Sequence, residues 1–263
     1  MIDMPDSIKN ALESHTYEID SIGMSGSGIL LFENEVLKIQ KDSDEAKNEA
    51  QAMKWLAGRL SVPKVIAHEH KDGKSYLLMS RVAGKMACDK QYMQNPEKLT
   101  ELLAIALQQL WQIDISSCPL NWRLDRKLES ARFRVKNNLV DTENVEPDTF
   151  GTNGLFKNPA DLLQWLETHH PNEELVLSHG DFCLPNIYID DNEKISFIDL
   201  GRTGIADKWQ DIALCYRSLR DNFAGRYGGE SYSGYDPNLL FEKLGLEPDW
   251  EKIRYYTLLD ELF

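Results

Sequence analysis

A chain of 263 residues, 42% hydrophobic and 27% charged, is long enough to bury a sizeable core, either as one large domain or as two lobes. Its net charge of −14 and the lack of a basic patch argue against a nucleic-acid partner, and no apolar run approaches the roughly 20 residues of a membrane span. The 4 cysteines lie far apart without a C-x-x-C pair, so neither a disulfide framework nor a cysteine metal site is predicted.

The N-terminal residues and the overall charge suggest where the protein works and what it binds. The first residues lack the positive and apolar segments of a secretory signal, so we expect a cytoplasmic protein. The excess of acidic residues fits a cationic substrate, because a negative cleft attracts positive ligands. Solubility alone would explain the same acidity.

The first predicted elements are a short helix at Ser7–Leu12 and a group of strands. The segment Gly23–Ile39 is typical of strands separated by a Gly-rich turn and by a second turn at Glu33–Glu35. Small residues in the first turn, Ser25 among them, let backbone N–H groups approach phosphate oxygens. An ordinary hairpin turn would have the same composition.

A lysine and a glutamate in this region are predicted to form an ion pair. Lys38 lies on the third strand, and the next helix is predicted over Asp44–Leu60. Glu49 falls on the apolar side of that helix, where an unpaired carboxylate would be costly to bury. Pairing with Lys38 removes this cost; the alternative is that Glu49 is exposed to solvent.

The remaining regular elements follow from turn residues and apolar spacing. Strands are predicted to begin at Val62–Val65 and to include Tyr76–Met79, with a turn at Lys71–Lys74 between them. Amphipathic spacing predicts helices at Pro96–Trp111, Leu124–Leu139, Asn158–Thr168, Lys208–Asn222 and Trp250–Leu262.

Two segments have no such periodicity. Residues Glu143–Gly154 form an acidic loop, and Ala224–Tyr235 is a Gly/Tyr/Ser-rich excursion. Loops of the first kind often carry binding functions, although many acidic loops are simply solvated. We interpret the second segment as a flexible excursion between helices.

The most informative segment is Ser178–Gly204. An apolar run leads into a His-Gly-Asp motif that ends at Asp181, and Asn186 follows five residues later. A β-hairpin is predicted over residues 187–198, and Asp199 comes directly after it. Such a hairpin would bring Asn186 and Asp199 together at one end, with Asp181 on the preceding loop.

These three side chains suit phosphoryl transfer. Oxygen ligands bind Mg²⁺, which itself binds nucleotide phosphates, and a carboxylate that is not a metal ligand can orient the attacking hydroxyl and accept its proton. Protein kinases use an Asp, an Asn five residues later and then Asp-Phe-Gly; here Asp-Leu-Gly takes that last place. The alternative is a tight turn and a strand-end cap. We expect His179 to brace the loop, and Asp207 to cap the next helix and contact the loop.

The segment HGDFCLPNIYIDDNEKISFIDLGRTGIADKWQDIALCYRSLR resembles the aminoglycoside phosphotransferases, in particular the 3′-phosphotransferases that inactivate kanamycin and neomycin. The similarity runs from about Gly23 to Phe263 and includes VPKV at Val62–Val65, DIS-x-CP at Asp114–Pro119 and the ending DWEKIRYYTLLDELF. The resemblance implies an α+β, two-lobe, protein-kinase-like fold. Its small antiparallel N-terminal lobe would span residues 1–79, its hinge 80–82 and its mainly helical C-terminal lobe 83–263.

The resemblance also implies an activity, the transfer of the γ-phosphate of a nucleoside triphosphate to the 3′-hydroxyl of an aminoglycoside, with Asp181 as the catalytic residue. Val36 stands where the family often has an aromatic residue over adenine, so ATP and GTP both stay open. By the resemblance, the nucleotide site contains Ser25, Lys38, Glu49, Ser80, Val82 and Ile198, and Mg²⁺ is bound by Asn186 and Asp199. The implied substrate site contains Glu143, Glu146, Arg202, Arg217, Asp260, Glu261 and the Phe263 carboxylate.

The acidic C-terminus gives a physical reason to expect a cationic ligand. Carboxylates at the end of a helix are disfavoured by the helix dipole, and a bound cation at Asp260 and Glu261 would relieve that cost. A frayed, solvated helix end is the alternative.

Two rival functions stay open on the sequence. A kinase of another small amino-alcohol or sugar, similar to choline or homoserine kinases, would share the motifs, but the acidic C-terminus favours a multiply charged cation. A catalytically dead nucleotide-binding module is the second rival, and the filled catalytic positions argue against it. The sequence leaves a monomer and a homodimer equally open.

Overall fold

A computed structural model describes residues 4–12, 16–20, 28–143, 145–146, 148–152 and 154–263. The chain divides into two compact units, Met1–Ala87 with Pro185–Thr203, and Cys88–Leu184 with Gly204–Phe263. The strands of the described residues are β1 Glu18–Asp20, β2 Gly28–Leu31, β3 Glu35–Lys41, β4 Val65–Lys71, β5 Lys74–Ser80, β6 Lys85–Met86, β7 Leu175–Ser178, β8 Ile187–Ile189, β9 Ile195–Phe197 and β10 Gly204–Asp207. Their helices are α1 Asp6–Ala11, α2 Asp44–Leu56, α3 Lys90–Met93, α4 Pro96–Trp111, α5 Leu124–Lys136, α6 Pro159–Thr168, α7 Lys208–Phe223, α8 Leu239–Leu244 and α9 Trp250–Asp260.

The first unit contains an antiparallel sheet in the order β1-β2-β3-β5-β4. Alternation along β3 buries Leu37 against Tyr76, Leu78 and Phe32, and Ile8 of α1 joins the same core. The β4–β5 turn is tight because Asp72 and Gly73 both adopt positive φ, as a two-residue hairpin turn requires.

The predicted β8–β9 hairpin forms with Ile187 opposite Phe197. β6 pairs with β8, and the Phe197 N–H donates to the Ser61 carbonyl at 2.9 Å, so the hairpin belongs to the first unit. Gly84 has φ +95°, and a Cβ there would lie 2.1 Å from the Ile189 carbonyl oxygen. Only glycine therefore permits this strand pairing. The predicted division at residues 79–83 stays a prediction, and the compact units described here have different bounds.

The second unit is mainly helical, with a short antiparallel pair formed by β7 and β10. The predicted Leu stripe of α4 is buried and contacts α7 and α8, while α7 also packs on α9. Pro96 starts α4 with Asn95 as N-cap, and Asn158 caps α6 by accepting the N–H groups of Ala160 and Asp161.

The helix bounds differ from the predicted ones mainly at the C-terminal ends. α2 ends at Leu56, four residues early, because Ala57 turns to ψ 123°. α5 ends at Lys136, and Asn138 just beyond it has φ +53°. The short elements β6, α3 and α8 were not predicted, and the α+β class is confirmed. None of the helices in the described part of the chain has the length and apolar composition of a membrane span.

Candidate active site

A buried ion triad lies in the first unit. The Lys38 Nζ on β3 is 3.0 Å from Glu49 Oε2 on α2 and 2.8 Å from Asp199 Oδ1, just after β9. Gln40, two residues along β3, donates through its Nε2 to the same Glu49 oxygen, Oε2, at 3.1 Å. Lys38 is 6% exposed and Glu49 1%, so the predicted pairing of these two residues is present and compensates their burial.

The charges of this triad support one another. Burial opposes the charged ammonium, but Glu49 and then Asp199 outweigh it and raise the pKa of Lys38 above its ordinary value. Burial also raises the pKa of Glu49, and Lys38 opposes that shift. Lys38 is therefore a fixed positive charge in a site with little water, where a phosphate would be attracted strongly.

Asp199 is the accessible member of the triad. Its side chain is 39% exposed, and its φ of +56° turns the chain sharply after β9. The loop that follows is held by Asn48 of α2, whose Nδ2 donates to the carbonyls of Gly201 and Thr203, both at 2.9 Å. Arg202 belongs to this unit too, where its Nε is 3.4 Å from Glu45 Oε1.

Asn186 and Asp199 fit a magnesium ion by their chemistry and position. The Asn186 carbonyl accepts the Ile198 N–H at 3.0 Å, which places Asn186 opposite the residue before Asp199. Among the described residues no group of three His, Cys, Asp or Glu side chains could hold a metal ion. One carboxylate and one amide suit Mg²⁺, which usually keeps water and phosphate oxygens as its remaining ligands.

Of the other residues predicted to bind nucleotide, Ser80 and Val82 lie at the end of β5, Ile198 follows β9, and Ser25 lies outside the described residues. The Ser80 N–H donates to the Lys64 carbonyl at 2.9 Å, so a contact with the adenine edge would fall to the Ser80 carbonyl. Val82 follows β5 and is half-buried. Ser25 and the rest of residues 21–27 lie outside the described part of the chain.

The loop of the His-Gly-Asp motif in the second unit is held by a buried carboxylate on α7. Asp211 Oδ2 accepts the His179 N–H at 2.7 Å, and Oδ1 accepts the Gly180 N–H and the Ser178 hydroxyl, both at 2.9 Å. Burial raises the pKa of Asp211, and His179 and these hydrogen bonds oppose that shift. Gly180 has φ +86°, a conformation that favours glycine.

Asp207 was expected to contact this loop, and that expectation was wrong. Its Oδ1 caps α7 through the Trp209 N–H at 3.2 Å, as predicted, but its Oδ2 accepts the Tyr256 hydroxyl at 2.9 Å. The loop is held instead by Asp211, one helical turn later, and by Gln210, whose amide donates to the Gly180 carbonyl at 3.1 Å.

Asp181 is oriented by its neighbours in the motif. Its N–H donates to His179 Nδ1 at 3.3 Å, and the Cys183 thiol donates to Asp181 Oδ1 at 3.2 Å. Burial, followed by the nearby Asp181 charge, raises the pKa of Cys183 well above its ordinary value, so the thiol keeps its proton as a donor. This contact gives Cys183 a polar role in the loop.

A second group of charges, here called the carboxylate–arginine cluster, lies elsewhere in the second unit. Arg217 of α7 pairs with Asp260 and lies 3.5 Å from Glu261 Oε1, so an internal cation already opposes the acidic end of α9. The Glu146 N–H donates to Glu261 Oε2 at 3.1 Å. The members of the cluster are Glu146, Arg217, Arg220, Asp221, Arg226, Asp260 and Glu261.

Glu261 is the unusual acid of this cluster. Burial raises its pKa from 4.5 to about 7, and Arg217 only partly opposes that shift. The carboxyl group therefore changes its charge near neutral pH, whereas Arg217 stays cationic because Asp260 and the other acids offset its burial.

Three predicted substrate residues lie outside the cluster: Arg202, which belongs to the first unit, Glu143 and Phe263. Glu143 is exposed, and its N–H donates to Asp141 Oδ1 at 2.9 Å in a local turn. At the C-terminus, Arg134 of α5 donates to the main-chain oxygens of Leu262 and Phe263. Arg134 thus holds the end of the chain by two hydrogen bonds to main-chain oxygens.

Comparisons with known proteins agree with these features. A sequence model of the phosphotransferase enzyme family matches residues 33–256. An aminoglycoside 3′-phosphotransferase of Enterococcus faecalis is 43% identical over 97% of both chains, and one of Staphylococcus aureus is 42% identical over the same shares. The chain belongs to the aminoglycoside 3′-phosphotransferase family. The resemblance of the His-Gly-Asp and Asp-Leu-Gly segment is therefore confirmed, and the chain is a kinase-like transferase.

Solved structures of the family show the same fold. An aminoglycoside-3′-phosphotransferase of type VIII superposes with a TM-score of 0.79 and 25% identity, covering 98% of both chains. An aminoglycoside phosphotransferase from Streptomyces rimosus in complex with ADP and streptomycin has a TM-score of 0.76 at 23% identity, covering 94% of this chain and 92% of its own. The kinase-like fold that the sequence implied is thus confirmed.

Some residues of the site were missed by the sequence reasoning. Asp211 could have been found by the criterion that found Glu49, since it is a carboxylate on the apolar face of an amphipathic helix. Asn48, Arg220 and Arg226 carry no such pattern, because their long-range partners Gly201, Thr203 and Glu146 lie 74 to 155 residues away along the chain.

Proposed function

We propose that this protein transfers the γ-phosphate of ATP or GTP to the 3′-hydroxyl of aminoglycosides such as kanamycin and neomycin. The cytoplasm is the proposed site of action, and antibiotic resistance the proposed result. The observation that carries the proposal is the buried triad, in which Lys38 Nζ lies 3.0 Å from Glu49 and 2.8 Å from Asp199. In this arrangement the Lys38 ammonium would bind nucleotide phosphates, and the partly exposed Asp199 carboxylate beside it would bind a metal ion.

The first unit would bind the nucleotide. Lys38, held by Glu49, would contact the phosphates, while the Ser25 turn and the main chain at Ser80, Val82 and Ile198 are the remaining proposed contacts. Asn186 and Asp199 would hold Mg²⁺, which supplies positive charge to the phosphate oxygens when bound.

The second unit would supply Asp181. This carboxylate would orient the 3′-hydroxyl and accept its proton as the bond from that oxygen to the γ-phosphorus forms and the bond to the bridging β–γ oxygen breaks. The nucleoside diphosphate then leaves. The hydrogen bond that Cys183 donates to Asp181, and those that Asp211 accepts from the loop, would keep one Asp181 oxygen aimed at the hydroxyl.

Substrate ammonium groups would be bound by acids of the second unit. Glu146, Asp260 and Glu261 belong to the carboxylate–arginine cluster, and the exposed Glu143 precedes it on the same loop. Arg202 and Arg217 would position those acids and the nearby loops through their ion pairs. The Phe263 carboxylate is the remaining proposed contact.

Mass spectrometry of kanamycin after incubation with the protein, Mg²⁺ and either nucleotide tests this proposal. We expect one added phosphoryl group on kanamycin and none on an aminoglycoside that lacks the 3′-hydroxyl. Asp181→Ala should lower turnover about 100-fold or more while nucleotide binding persists. Phosphorylation of choline or homoserine, with kanamycin left unmodified, would contradict the proposal.

A further inference from the structure

The excursion Ala224–Tyr235 is a folded loop that returns to the end of α7. Tyr235 stacks on Phe223 with ring centroids 3.8 Å apart and an interplanar angle of 22°. Lys90 of α3 holds the middle of the loop through Glu230 at 2.6 Å. These two contacts anchor the excursion, and its one cationic residue, Arg226, belongs to the carboxylate–arginine cluster.

Arg226 forms an ion pair with Glu146, one of the acids proposed to bind a cationic substrate. Its Nη1 is 2.6 Å from Glu146 Oε2 and 3.1 Å from Asp221 Oδ2, and its Nη2 donates to the Val145 carbonyl at 3.3 Å. Arg220 forms an ion pair with the other oxygen of this carboxylate, Glu146 Oε1. Both oxygens of Glu146 thus face guanidinium groups.

Arg226 differs from the two arginines of α7 that bind acids of the cluster, Arg217 and Arg220, because a loop carries it. Arg220 is 42% exposed, but it lies within the helix and is also held by its neighbour Asp221. The Arg226 side chain is 32% exposed, on a loop, whereas that of Arg217 is 15% exposed and lies within α7. An incoming cation can therefore displace Arg226 with less disruption than Arg217, because only one loop side chain has to move into water.

We propose that Arg226 is a specificity-determining residue that holds Glu146 in competition with the ammonium groups of the substrate. Substrates with several ammonium groups would replace the guanidinium, and weakly charged amines would not. This inference rests on the proposed function and adds a selection for polycations. Arg226 acts through Glu146, so it is a positioning residue and not a catalytic one.

The competition predicts which kinetic constant changes. Removing one positive charge at about 4 Å from a bound ammonium should lower KM about fivefold at low salt, and by less at high salt. The turnover number should stay within about twofold of wild type, because Arg226 pairs with Glu146 and Asp221, in the cluster proposed to bind the substrate.

The experiment compares Arg226→Ala and Arg226→Gln with Arg226→Lys, which keeps the charge, and with Lys90→Ala, which frees the other anchor of the excursion. KM and kcat are measured for kanamycin and for neomycin, which has more amino groups, at low and high salt. The Kd of kanamycin without nucleotide is measured by calorimetry. We expect lower KM and Kd in both neutral variants, with the larger change for neomycin, and wild-type values in Arg226→Lys and Lys90→Ala.

Unchanged or higher KM and Kd in both neutral variants would overturn the proposal, because Arg226 would then only tether the loop. An equal effect in Lys90→Ala would overturn it too, since loop mobility would be the cause. A wild-type protein that binds kanamycin without phosphorylating it would refute the proposed function alone. A protein that does not bind kanamycin would refute both.

Discussion

At the scale of single residues, the site depends on buried charges that are stable only as a set. Lys38 and Glu49 are almost fully buried, and each makes the burial of the other tolerable. Removing one partner therefore has two consequences, a loss of nucleotide contacts and an uncompensated charge in the interior. These consequences can be separated experimentally.

Lys38→Met should destabilise the protein by about 3–5 kcal/mol, because Glu49 then stays buried without its cation. The double variant Lys38→Met with Glu49→Gln should recover most of that loss while nucleotide binding stays abolished. Urea unfolding measures the first effect and calorimetric nucleotide binding the second. A double variant as unstable as Lys38→Met would show that the ion pair is not the source of the stability.

Glu261 gives the site a dependence on pH. Since the folded protein holds the Glu261 proton up to about pH 7 and an unfolded chain releases it near 4.5, this group lowers stability as pH rises through that window. The same ionisation adds a negative charge beside Asp260 and Glu146, so the KM for kanamycin should fall between pH 6 and 8.

Glu261→Gln is the matched variant for this prediction, since it keeps the shape and cannot ionise. Its KM for kanamycin should not fall over the same pH range. Its free energy of unfolding should not show the decrease with rising pH that Glu261 causes in the wild type. Deprotonation of the substrate amines acts on both proteins alike, so it cancels in the comparison. Parallel KM profiles for wild type and variant would contradict the assignment to Glu261.

At the scale of elements, α7 links the His-Gly-Asp loop to the carboxylate–arginine cluster, the proposed catalytic and substrate-binding parts of the second unit. Its N-terminal half holds the loop through Gln210 and Asp211, and its next turns carry Arg217 and Arg220 toward the carboxylate–arginine cluster. Ser218 adds a hydrogen bond from the Leu184 N–H at 3.0 Å. One rigid helix thus sets both the aim of Asp181 and the place of the acids.

Asp211→Ala should therefore reduce kcat for kanamycin more than it changes either KM. The substitution removes the acceptor of three donors of residues 178–180, of which the Gly180 N–H keeps the Ser178 hydroxyl oxygen at 3.1 Å. Each donor left unpaired costs about 1–3 kcal/mol, and the loop that carries Asp181 loosens. Asp211→Asn, which can still accept hydrogen bonds, should recover part of the turnover. Steady-state kinetics on both variants tests this, and a change confined to the KM for nucleotide would contradict it.

The sequence was sufficient to predict the longer helices and strands and one ion pair of the site. Apolar spacing and N-caps gave the bounds of α4, and the cost of burying Glu49 gave its pairing with Lys38. The local pattern of residues does not show which groups an acid will contact in the folded protein. Asp207 was therefore expected to contact the His-Gly-Asp loop, whereas Asp211 accepts its hydrogen bonds. The partners of Arg226 were equally inaccessible, because they are brought together only by the tertiary fold.

At the scale of the whole molecule, the net charge of −14 favours one substrate and opposes the other. A polycationic aminoglycoside is attracted to such a protein, while a nucleotide is repelled by the distant acids and would be held by the proposed local contacts to Lys38. Distant charges are screened by salt far more than a buried ion triad is. The two substrates should therefore respond to ionic strength in opposite directions.

Raising the salt concentration from low to several times physiological should increase the KM for kanamycin about fivefold or more, because screening removes the attraction of the acidic surface. The KM for the nucleotide should fall or stay constant over the same range. Steady-state kinetics with each substrate varied in turn, using two chemically different salts, separates screening from specific ion binding. Equal increases in both constants would mean that salt weakens the protein generally, and a kanamycin KM insensitive to salt would mean that binding depends on hydrogen bonds and not on the net charge of the molecule.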